Sequence, residues 1–183
     1  MFLLSNILIL LAAVLVVFLQ GTCLNLRALL GAQIDLLPSL MVFTALTSGP
    51  IMMVTLALVG GLMFDTLSAN PLGISVLPLL GIGALLQPRR ELLLRDQKYA
   101  QFVLGFAASA VAPLLTVLLL LTLEQSPLLG WGSLWQWSVL SLAGGLAAPV
   151  FFLLFGRLNA ALGYRPMTEP SFRADREIRR GRN

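Results

Sequence analysis

Apolar residues run along this chain in long blocks rather than at amphipathic spacing, and short polar or Gly/Pro-containing breaks separate them. The first block, 2–19, is about 18 residues without a charge, enough to cross the hydrocarbon core of a bilayer. It lacks the basic start of a signal peptide and further spans follow, so it reads as a retained first helix. A mixed connection with Cys23, Asn25, Arg27 and Asp35 leads to a short apolar block at 36–46, which Thr47-Ser48-Gly49-Pro50 ends. Blocks at 51–67, 72–87, 100–123 and 136–155 complete the series, the fifth with Pro113 as a kink and the last with Pro149. The pattern predicts an all-α, polytopic membrane bundle of about six helices over 1–166. The tail, 167–183, is too short and too charged to fold alone.

Composition agrees: 58% of the 183 residues are hydrophobic, 11% are charged, and the mean hydropathy is +0.91. With no histidine and one cysteine, a single chain holds no histidine-ligated metal, no Ser-His-Asp triad and no disulfide framework. No metal or other cofactor is expected, and the apolar spans lack the paired acids and bases that catalysis needs, so the chain reads as non-enzymatic.

Charge placement sets an expected topology. The loop at 88–99 and the tail from Arg157 onward hold all of the 12 Lys and Arg residues except Arg27. The positive-inside rule assigns both to the cytoplasm, which leaves both termini cytoplasmic and puts 68–71 and 124–134 outside. If 36–67 were one broken helix, the amino terminus would instead lie outside. Beside a membrane helix, the arginine-rich tail points to anionic lipid rather than nucleic acid.

One polar run stands out, from Gly60 to Gly73. Asp65 is the only acidic residue inside a membrane-length apolar block, where an unpaired carboxylate costs at least a few kcal/mol. Gly61, four residues before it, and Ser68, three after, share its helix face. Asn70 and Pro71 stop that helix, and proline suits the first position of the next, so a tight polar hairpin is expected. Asp65 has two readings: a group near the helix end that reaches water or caps the next helix, or a buried anchor that fixes packing or binds a ligand. The surrounding glycine, serine and asparagine favour the anchor.

Small residues spaced by four recur at Ala57/Gly61, Gly105/Ser109, Ala108/Ala112 and Gly144/Ala148, the pattern of close helix contacts in membranes. Internal packing is their ordinary role. Gly105, Ser109 and Gly144 are also candidate docking positions for a helix of another protein. Trp131, Trp135 and Trp137 read as an interfacial aromatic belt.

Taken in order, these features resemble the bacterial rod-shape-determining membrane protein family MreD. The specific part is Gly61-Leu62-Met63-Phe64-Asp65-Thr66-Leu67-Ser68 followed by Pro71-Leu72-Gly73-Ile74-Ser75, with Pro149, Phe155, Arg157 and Leu158 similar to the family's closing segment. Gly156 stands where the family pattern has a polar residue, and the tail is longer than that pattern. The resemblance implies a multi-pass inner-membrane scaffold of the elongation machinery that builds side-wall peptidoglycan. Its implied partners are the transmembrane helix of MreC and, through MreC, RodA, a class B penicillin-binding transpeptidase and MreB. The family bundle is also similar to the substrate-binding subunits of energy-coupling-factor transporters. The competing expectation is therefore a vitamin-binding membrane subunit, with Asp65, Ser68, Asn70 and Gln20 or Asn25 at its mouth.

Overall fold

The computed structural model describes residues 2–22, 31–68, 71–90, 97–124 and 130–161, and these are mostly helical with no strand among them. In chain order the helices are α1 (Phe2–Thr22), α2 (Leu37–Thr47), α3 (Pro50–Leu67), α4 (Val76–Leu86), α5 (Lys98–Thr122) and α6 (Trp131–Ala161). A 3₁₀ turn, Gln87–Arg89, extends α4. Four helices, α1, α3, α5 and α6, are long and apolar enough to cross a membrane; α2 and α4 are apolar but shorter. The tail, Cys23, Asn25, Arg27 and Asn70 lie outside the described residues.

The shortest elements hold the centre. Every residue of α2 from Leu37 to Leu46 is buried, and α2 packs on each of the other five helices. A helix apolar on all sides has no face to offer water, so it belongs inside a bundle. At one end its Phe43 ring stacks on Phe155 at a centroid distance of 4.6 Å and meets Phe152 edge-on at 5.0 Å. Outside this core the exposed faces carry the large side chains, such as Leu11, Phe18, Leu118 and Leu146.

Two helix starts differ from the sequence expectation by four residues or more, and the last helix also runs on to Ala161 rather than 155. The fourth helix starts at Val76, not at 72, so Pro71 does not open it. Residues 71–75 form a turn instead, with the Ile74 N–H donating to the Pro71 carbonyl and the Val76 N–H to the Gly73 carbonyl, both at 3.3 Å. Gly73 has φ +89°, a left-handed conformation that side chains resist, and the helix cannot begin until the chain has passed it. The sixth helix starts at Trp131, which places that tryptophan on the helix rather than in the preceding loop. Here Ser133 acts back on the helix start: its Oγ accepts from the Gly130 N–H at 3.2 Å while its N–H donates to the Gly130 carbonyl at 2.9 Å. That reciprocal pair satisfies a donor at the helix start that would otherwise be orphaned.

The small-residue positions lie inside this chain. A Cβ on Gly105 would come within 2.5 Å of the Ala148 Cβ and 2.6 Å of the Gly144 carbonyl oxygen, and one on Gly144 would overlap the Ser109 side chain. Ala57, Ala108, Ser109, Ala112 and Ala148 are all buried. The expectation that Gly105, Ser109 and Gly144 present a docking face is corrected: that surface is consumed where α5 meets α6. Backbones approach closely there because dispersion, not water exclusion, drives helix contact in lipid.

Candidate functional site

The Asp65 run is a packing device. The helix α3 carries Asp65 to its last turn, where the residue is 2% exposed. Its Oδ2 accepts two backbone hydrogen bonds from the following turn, from the Gly73 N–H at 2.7 Å and the Ser75 N–H at 3.2 Å. These donors precede the first turn of α4 and have no helical partner of their own, so a carboxylate suits them twice, by hydrogen bonding and by the dipole of the helix start. Both readings of Asp65 thus meet in one role: it is buried, and it caps the approach to the next helix. Gly61, one turn earlier, lets α4 close in; a Cβ there would lie 2.8 Å from the Val76 side chain and 3.0 Å from its backbone. The second carboxylate oxygen, Oδ1, is buried with no hydrogen-bond partner among the described residues.

The other short helix repeats the device. Asp35, in the connection before α2, accepts the Leu37 N–H on Oδ1 at 2.9 Å. Burial raises its carboxyl from 3.8 to about 6, the Leu37 hydrogen bond draws it partly back, and the Asp65 charge adds to the rise. The Gln20 amide lies close enough to Asp35 to favour its charged form, and its Oε1 and Nε2 are buried with no hydrogen bond of ordinary geometry among the described residues. An aspartate thus meets backbone donors at the entrance to each short helix.

Between these two helix starts lies a cavity of about 170 Å³. It opens at the end of the bundle where α3 finishes and where α2, α4 and α6 begin. Gln33, Asp35, Ser68 and Ser75 line it from the irregular segments and helix ends, Ser109 and Thr116 from α5, and Gln136 from its exposed rim. Leu37, Phe64, Leu79 and Leu140 supply apolar walls. Pro113, also in the wall, removes one α5 backbone donor. Near that break the Ala110 carbonyl accepts the Trp137 indole N–H at 2.8 Å. Trp137 therefore ties α5 to α6 and is not only a belt residue. Irregular backbone inside a membrane bundle is tolerated where it is buried or lines a cavity, and both irregular segments here line this one.

Beneath the cavity sits a polar contact among three helices. Ser39 on α2 donates to the Gly144 carbonyl of α6 at 2.8 Å, and its Oγ lies 3.4 Å from the Ser109 Oγ of α5. Both serines are fully buried.

Of the mouth residues expected from the sequence, Ser68 lines the cavity. Asp65 turns away to its turn, Gln20 lies beside Asp35, and Asn25 and Asn70 fall outside the described residues. Sequence reading gave no site role to Gln33, Ser39, Thr116 or Gln136, and named Asp35 only as part of a connection and Ser75 only as part of the Pro71–Ser75 run. One signal was available on α5: Ser109, Ala112, Pro113 and Thr116 recur every three or four residues in an otherwise apolar helix and so mark one inward face. Compared with known proteins, the chain matches no family model, no curated protein and no solved structure.

Proposed function

We propose that this chain is a non-enzymatic membrane scaffold of the MreD type, which helps MreC organise the peptidoglycan synthase of the elongation complex. The observation that supports the reading is what the Gly61–Gly73 run does. Its most specific residues, Gly61, Asp65 and Gly73, are spent on joining two helices through backbone contacts, as a scaffold motif requires. In this reading α2 and α4, short as they are, complete six crossings, and the basic 88–99 loop and tail face the cytoplasm of a bacterial inner membrane, against anionic lipid. MreC would reach the chain by a surface other than the Gly105–Gly144 contact, which α5 and α6 occupy themselves.

The test is affinity purification of the tagged chain from native membranes in mild detergent, with the co-purifying proteins identified. MreC is the expected partner. Recovery of an ATPase module with a bound vitamin, and no MreC, would replace this reading with the second one, a ligand-binding transporter subunit. The polar cavity at the starts of α2 and α4 is what favours that alternative.

A further inference from the structure

We infer that the cavity between the starts of α2 and α4 is a binding site for a small hydroxylated amine, held by the Asp35 carboxylate and the hydroxyl and carboxamide groups around it. This deepens the ligand-binding reading and is independent of the scaffold reading.

Size comes first. A cavity of about 170 Å³ is comparable to engineered cavities that admit a benzene-sized guest, so a single-ring or shorter molecule fits and a nucleotide or lipid tail does not. Chemistry comes next. An apolar cavity of this volume stays dry, but this wall carries serine and threonine hydroxyls at 68, 75, 109 and 116 and carboxamides at Gln33 and Gln136. Such groups both donate and accept, which suits a guest with several hydroxyls.

Charge decides the rest. Among the described lining residues Asp35 is the one ionisable group, with no lysine or arginine beside it. A carboxylate guest would meet like charge with no counter-ion, whereas an ammonium would meet Asp35. The Leu37 N–H occupies one of the roughly four acceptor positions of that carboxylate. The two helix starts that could otherwise attract an anion are already met by Asp35 and Asp65. A second observation concerns a carboxylate outside the wall. Asp65 is 2% exposed, its Oδ1 is a buried acceptor with no hydrogen-bond partner among the described residues, and its charge acts on Asp35, so the field at Asp35 is negative beyond what that group alone gives. A cationic group beside Asp35 would offset that field.

The experiment uses the full chain in detergent or nanodiscs and three hexose probes of similar size: glucosamine, glucose and glucuronate, which carry an amine at C2, hydroxyls alone and a carboxylate at C6. Ethanolamine, ethylene glycol and glycolate repeat the series at smaller size. Binding is read by calorimetry at pH 7.5. The expected order is amine over neutral over acid in at least one series. Asp35→Asn, which can still cap α2, should weaken the amine about 10- to 100-fold, the loss of one hydrogen bond to a charged group. Gln136→Lys at the rim should abolish amine binding, and Gln136→Glu should strengthen it. Because Gln136 lies at the exposed rim, these two variants keep the test decisive if the Asp35 variant folds poorly. No binding in either series, equal binding of amine and acid, or indifference to both Gln136 variants overturns the site. None of these failures bears on MreC recovery, so the scaffold reading stands or falls separately.

Discussion

Replacing Asp65 separates its hydrogen bonds from its charge. Asp65→Leu removes the acceptor of the Gly73 and Ser75 N–H groups and leaves both donors near a buried position. A net backbone hydrogen bond is worth about 1 kcal/mol, and polar contacts in membrane bundles average somewhat less, about 0.6 kcal/mol with a maximum near 1.7. Two such bonds give about 2 kcal/mol, or roughly a 30-fold fall in the ratio of folded to unfolded protein. Asp65→Asn behaves differently. Its carbonyl oxygen can occupy the Oδ2 position and accept both N–H groups, while the amide nitrogen takes the place of Oδ1, which has no hydrogen-bond partner to lose among the described residues. The expected cost is under about 1 kcal/mol, the difference between charged and neutral acceptors. The assay is reversible unfolding in mixed micelles of rising denaturing-detergent content, followed by circular dichroism. Asp65→Leu should shift the midpoint clearly and Asp65→Asn little. If the two variants lose equal stability, a required negative charge replaces the hydrogen-bond account. If neither loses any, Asp65 holds nothing together.

Gly105→Leu and Gly144→Leu should each lower stability by several kcal/mol or prevent folding, because overpacking alone costs about 1–3 kcal/mol where the neighbours can move, and here they include backbone; normal stability in the same unfolding assay would show that α5 and α6 do not meet there. The raised pKa of Asp35 means that the folded chain holds this proton more tightly than the unfolded one. Its contribution to stability is therefore fullest below about pH 4 and is lost as pH rises through about 6. By linkage the change is at most about 3 kcal/mol, and it disappears in Asp35→Asn; equal pH dependence of the two proteins between pH 4 and 6.5 would refute it. The groups that face Asp35, namely the Leu37 N–H, the Gln20 amide and the Asp65 carboxylate, remain in both proteins.

Hydropathy located the helices because a membrane span needs a long apolar run, whatever lies beside it. It could not say which faces turn inward. In a soluble helix the polar face points outward, but in α1 the buried residues are Ile9, Ala13, Val16 and Val17 and the exposed ones are Leu11, Leu15 and Phe18. Both sides are apolar, so periodicity carries no sign. Size carried part of it, and the small-residue pairs did mark contacts. Whether those contacts were internal or external depended on which helices are neighbours, and α5–α6 packing decided it. The start of α4 was misplaced for a different reason. Proline fits a helix start and also fits a turn, and the choice fell to Gly73 two positions later.

The arrangement of the two short helices follows from the two aspartates. A helix of about a dozen residues covers roughly 17 Å, well short of a hydrocarbon core about 30 Å thick. In the six-crossing reading proposed above, the chain enters such a helix as irregular backbone at depth, where each unmet N–H costs several kcal/mol. Asp35 and Asp65 meet those donors from the side, at the start of α2 and in the turn before α4. Two short helices with capped starts side by side leave an unfilled gap between the longer helices, lined by the hydroxyl and amide groups that irregular segments bring. The cavity is thus a consequence of how the short helices are started. Lengthening one of them by a turn would remove it, and with it any binding, while the α5–α6 contact that lies beneath would survive.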